Sequence, residues 1–82
     1  MKLGVNMERE IKAGMKVRHF KGFISEIIAV AMHTETEEEL VIYKHIDEEQ
    51  VYARPLSMFN SLVDKEKYPN VTQKYRFEII GG

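Results

Sequence analysis

Arg18, His19 and Lys21 crowd one short stretch of the chain, and Arg54 follows beyond its midpoint. A guanidinium offers a rigid fork to phosphate or carboxylate, and a lysine ammonium a mobile point charge. These four residues are an anion-binding candidate if the fold brings their segments together. The competing assignment pairs Arg54 with Glu35 or a neighbouring carboxylate to pin a turn. His33 and Glu35, two apart, share a face if they continue a strand, and with His19 and His45 they are the metal-ligand types present. A zinc site needs three or four such ligands, and neither a paired-His spacing nor any cysteine exists here. His33 therefore reads as a strand-end residue bonded locally, with Thr34, Glu35 and Thr36 accepting turn amides. Tyr43, Tyr52, Tyr68 and Tyr75 with Phe23 could line a groove for a peptide or a single strand. The alternative buries Tyr43 and Tyr75 as core rings with the hydroxyl at the rim. Ser25, Ser57 and Ser61 lie in no nucleophile elbow, and no phosphate-cradling glycine motif occurs. A pocket of about 300 Å³ or more would also strain so small a core.

The elements that must position these residues are mostly strands. Met15 to Phe20 alternates apolar and polar residues, the period of a half-buried strand, and Lys21-Gly22 marks a turn. Phe23 to His33 has apolar side chains on both parities, so a helix is conceivable, but its β-branched residues and flanking turns favour a strand that curves or that switches core face at a bulge. Thr34 to Glu38 reads as a hairpin turn and Glu39 to Ile46 as its partner strand. Gln50 to Arg54 is a third short strand of the same ribbon, which Pro55 ends because it lacks a donor. Leu56, Phe59, Leu62 and Val63 follow at helical spacing, with Pro55 at the first helical position and Met58-Phe59 as a plug for the core. Lys65 to Thr72 is a loop, Gln73 to Ile79 the final strand, and Gly81-Gly82 a tail. Met7 to Ala13 has the pattern of one or two helical turns capped by Gly14. The expected fold is mainly β: a five-stranded, partly open SH3-like barrel over residues 15–80, with a short helical turn before the last strand. Residues 1–14 form a flexible or loosely docked arm.

The blocks His19-Phe20-Lys21-Gly22, His33-Thr34-Glu35-Thr36 with Glu38, Val41-Ile42-Tyr43, and Arg54-Pro55 followed by Met58-Phe59 occur in that order. They resemble a family of small bacterial domains of unknown function with R-H-[FY]-K-G, H-[ST]-E-T and R-P-x-x-M-F signatures. The resemblance covers about residues 11 to 79. Ile46-Asp47-Glu48 replaces the family's Leu-Tyr-Gly, and Tyr52 its tryptophan, so a pocket shaped by that segment differs here. The resemblance implies a compact β domain and no particular reaction.

The chain has 82 residues, enough for one small domain. Its net charge of -1 hides a basic stretch at residues 1–22 and an acidic one at 35–49, read as solvated turns. A pI near 6.3 counts against a general nucleic-acid module, which is usually strongly basic. The absence of cysteine fits a reducing, cytoplasmic setting. No apolar run reaches the roughly 20 residues of a membrane helix, and the N-terminus lacks the apolar stretch of a signal peptide. The expected function is a cytoplasmic binding or interaction module for a protein, a peptide or a small anionic ligand, without catalysis, cofactor, metal or membrane. Its site would use Arg18, His19, His33, Glu35, Tyr43, Tyr52 and Arg54. RNA binding is one alternative, and a small metal- or ligand-dependent enzyme using His33 and Glu35 another.

Overall fold

The computed structural model describes residues 9–82. Five antiparallel strands form one sheet: β1 Lys16–His19, β2 Ile24–Met32, β3 Glu39–His45, β4 Val51–Pro55 and β5 Phe77–Gly81. The spatial order is β4-β3-β2-β1-β5, so the last strand returns beside the first. A single helical turn, α1 Leu56–Phe59, precedes β5. No helix among the described residues is long and apolar enough to cross a membrane.

The long β2 carries the bulge its mixed parity implies. Ile27 pairs with Tyr43, but Ala29 pairs with Ile42, leaving Ile28 as the extra residue. Ser25 and Ile27 face the core before the bulge. Val30 takes that side after it, opposite Val41. The core consists of Ile11, Val17, Ile27, Val41, Tyr43, Phe59 and Phe77, with Met15, Leu56 and Ile79 packed against it. The fully buried Ser25 hydroxyl is satisfied by His45 Nδ1 at 2.8 Å.

The sheet does not close into the expected barrel. β4 and β5 are its two edges and make no ladder with each other. Pro55 pairs at the end of β4 and is the N-cap residue of α1, not its first helical residue. The chain from Ser61 to Arg76 is tied to itself through the Leu62–Tyr75 bridge, Val63 N–H to the Lys74 carbonyl, and Arg76 N–H to the Ser61 carbonyl. These pairings also shorten the final strand at its start. Gln73 to Arg76 belong to the connection, and the Gln73 side-chain amide donates to the carbonyls of Arg18 and Tyr75. At its other end the strand takes in Gly81, paired with Lys16, where a tail was expected.

No helix forms over residues 9–13, and Met7 and Glu8 of the expected helix lie outside the described residues. Instead Ile11 enters the core, while Gly14 adopts φ 91° and donates its N–H to the Ile27 carbonyl at 2.8 Å. Arg9 reaches across to the Asn60 side chain and the Phe77 carbonyl.

Of the expected Met58-Phe59 plug, only Phe59 is buried; Met58 is 48% exposed. Phe59→Ala should therefore cost about 3–5 kcal/mol, a large part of a small domain's stability, and Met58→Ala under about 1 kcal/mol. Urea denaturation followed by circular dichroism measures both, and similar losses for the two would contradict this packing.

Candidate functional site

His19 ends β1 on the core face, and the chain then turns sharply. Gly22, at φ 111°, makes the turn possible, and its N–H donates to the His19 carbonyl at 2.7 Å. Lys21 N–H donates to His19 Nδ1 at 3.1 Å, so the neutral ring carries its proton on Nε2. Phe20 and Phe23 stack on the imidazole, each with ring centres 4.5 Å away, and Phe77 meets it edge-on at 4.9 Å. Burial among these rings, followed by the charges of Arg54, Lys21, Arg76 and His45, lowers the His19 pKa from its ordinary 6.5 to about 4.

Arg54 approaches from the other edge of the sheet. It lies opposite Val41, on the core face of β4, and its guanidinium sits 5.4 Å from the centre of the Phe77 ring. Arg76 comes from the bend before β5, where its carbonyl accepts the Phe20 N–H at 2.9 Å. Asp64, Lys67 and Tyr68 come from the long connection. Asp64 Oδ1 accepts the N–H groups of Glu66 and Lys67, and the Asp64 carbonyl accepts that of Tyr68. The Tyr68 ring lies 4.9 Å from Phe20.

Together His19, Phe20, Lys21, Arg54, Asp64, Lys67, Tyr68 and Arg76 line a cleft of about 320 Å³. It does not strain the core, because it lies outside it, between the first turn, the end of β4 and the connection. Four cations face one carboxylate there, and among the described residues none of the four forms an ion pair. Such a concentration of unpaired positive charge favours an anion.

His19 and Arg54 of the expected site residues meet in this cleft, together with Lys21 of the anion-binding candidate. Arg54 has no ion pair with Glu35 or any other carboxylate among the described residues. Arg18 lies elsewhere. Strand alternation turns it away from His19, and its guanidinium pairs with Glu78 at 2.8 Å beside a separate groove. His33 and Glu35 occupy the β2–β3 hairpin, where His33 Nδ1 accepts the N–H groups of Glu35 and Thr36. No group of three metal-ligating side chains occurs among the described residues. Tyr43 is core, packed edge-on against Phe59 and Phe77. Tyr52 donates its hydroxyl to Glu48 at 3.0 Å, a bond that raises its pKa, and it does not line the cleft.

Sequence reasoning missed Phe20, Asp64, Lys67 and Arg76 as lining residues. The interleaving of basic and aromatic residues in Lys67-Tyr68 and Lys74-Tyr75-Arg76 was the available signal.

The family model for a protein of unknown function, DUF1653, matches residues 15–79, and the chain belongs to that family. A crystal structure of a DUF1653 protein from Bordetella bronchiseptica is similar, with a TM-score of 0.70 and 25% sequence identity. The likeness covers 88% of this chain and 90% of that one. No curated protein matches.

The lowered His19 pKa makes stability depend on pH. Above about 6.5 the ring is neutral whether folded or unfolded, and no penalty arises. As pH falls from there towards 4, the unfolded chain takes up the proton first, so folding stability declines across that window. Urea midpoints at pH 7 and 4.5 should show a smaller acid loss for His19→Gln than for the wild type. An equal loss would contradict the assignment.

Proposed function

We propose that this DUF1653 domain is a cytoplasmic binding module for a small anionic ligand, held in the cleft between the first turn, β4 and the long connection, with no catalysis of its own. The observation that carries this reading is the convergence of Lys21, Arg54, Lys67 and Arg76 on one cleft in a chain whose net charge is -1. Arginine and lysine side chains held near low-dielectric ring surfaces bind an anion more strongly than the same groups in open water. His19 adds a neutral Nε2–H donor. Among the described residues the lining contains no serine, threonine or cysteine, and the Tyr68 phenol is the one hydroxyl in it. Its volume suits one small molecule, not a length of nucleic acid. The cysteine-free composition agrees with a reducing compartment.

Titration of the full chain with inorganic phosphate and pyrophosphate, followed by amide chemical shifts at low salt, tests the proposal. Changes should centre on residues 19–22, 54, 64–68 and 76. Arg54→Ala and Arg76→Ala should each weaken binding about tenfold or more, as expected for a lost charged hydrogen bond. Absence of binding, or shifts confined to the Arg18–Glu78 groove or the His33 hairpin, would overturn it. Preferential, steeply salt-dependent binding of an oligonucleotide would replace it with the nucleic-acid reading.

A further inference from the structure

We infer that the cleft takes a phosphate monoester joined to a planar aromatic body, the chemistry of a nucleoside monophosphate; this rests on the anion-binding reading above. His19 lines the cleft together with Lys21, Arg54 and Arg76. Arg54 and His19 also share a neighbour, the Phe77 ring, at 5.4 and 4.9 Å. A carboxylate brings two oxygens and one negative charge to this group. Three cations and an Nε2–H exceed what it can use. A phosphate monoester brings three terminal oxygens and a charge of about -1.5 to -2 at pH 7. Its three oxygens can meet several of these donors, and its charge offsets more of the positive excess left once Asp64 is set against the four cations than a carboxylate's does.

The lining is also aromatic. Phe20 and Tyr68 meet with an interplanar angle of 60°, and two ammonium groups rest over Tyr68, Lys21 at 5.7 Å and Lys67 at 5.6 Å from its centre. Lysine is flexible, so either ammonium can turn from the ring to a bound phosphate. The Tyr68 ring then offers a nucleobase a surface for stacking, which is tolerant of base identity. Asp64 is the feature a purely anionic ligand does not explain. Its Oδ1 accepts two turn amides, while among the described residues nothing bonds Oδ2. A carboxylate oxygen of this lining residue can accept a hydrogen bond from a hydroxyl or amino group, which a ribose or a base supplies. A cleft of about 320 Å³ lies at the small end of ligand sites, with room for one nucleotide.

The experiment is calorimetric titration of the full chain at low salt with adenosine monophosphate, ribose 5-phosphate, adenosine, inorganic phosphate and pyrophosphate. Adenosine monophosphate should bind roughly tenfold more tightly than ribose 5-phosphate, the order expected for one stacked base. Tyr68→Leu should abolish that advantage, and Tyr68→Phe should retain it. Equal wild-type affinities for adenosine monophosphate and ribose 5-phosphate would overturn the inference and leave the anion-binding reading intact. Adenosine binding as tightly as its monophosphate would also overturn the inference, because the phosphate would then contribute nothing. Failure of every phosphate to bind, inorganic phosphate and pyrophosphate included, would overturn both. The comparison of ligands on the wild-type chain decides the matter even if Tyr68→Leu fails to fold.

Discussion

The ring of Phe77 is where the two edges of an open sheet are held together. It lies parallel to Phe59 at 4.2 Å and receives Tyr43 and His19 edge-on, with the Arg54 guanidinium over it. Ring contact thus takes the place of a backbone ladder between β4 and β5. An open edge ordinarily exposes unpaired amides and carbonyls to other chains. Here β4 is short and runs into Pro55 and α1, while Arg9 caps the Phe77 carbonyl on β5. A chain of this length has few side chains to spare for its core, so one ring must serve several contacts at once.

The same ring connects the core to the cleft. His19 and Arg54 come from opposite parts of the sheet and face one another's surroundings because both rest on Phe77. Desolvation by the rings keeps His19 neutral, and the nearby cations push its pKa in the same direction. A neutral donor is thereby placed among charged ones without adding to their repulsion. The acidic residues that offset the basic ones in the whole chain are concentrated elsewhere, in the turns around Glu35–Glu39 and Asp47–Glu49. Segregation of this kind lets a protein with a net charge of -1 present a positive surface locally.

The hairpin at His33 shows how a residue suited to chemistry can be wholly occupied by folding. Its Nδ1 accepts two turn amides, and Glu37 adopts a left-handed conformation, φ 62°, to complete the reversal. The Thr36 hydroxyl both donates to the Glu38 carboxylate and accepts the Glu38 amide. These bonds account for His33 and Thr36 of the H-T-E-T block, where polar side chains replace missing backbone partners; no hydrogen bond of the Thr34 or Glu35 side chain occurs among the described residues.

Much of this fold was legible in the sequence because its signals are local. Alternation located β1, β-branched runs located β2 and β3, the mixed parity of Phe23 to His33 implied a curve or a bulge that the register places at Ile28, and Pro55 marked the end of β4. The separation of Arg18 from His19 was also implicit in that alternation, since adjacent strand residues face opposite ways. The open sheet was not legible. Nor was the delayed start of β5, because Tyr75 and Arg76 continue the alternating pattern while their backbone partners, Leu62 and Ser61, are set by the path of the connection. The sequence by itself therefore determined which segments are pleated and where they turn, through propensity and spacing within a few residues. Only the tertiary structure decided which charges meet. Lys21 comes from the first turn, Arg54 from β4, and Lys67 and Arg76 from distant parts of the long connection, so their convergence depends on how these three parts pack beside one another.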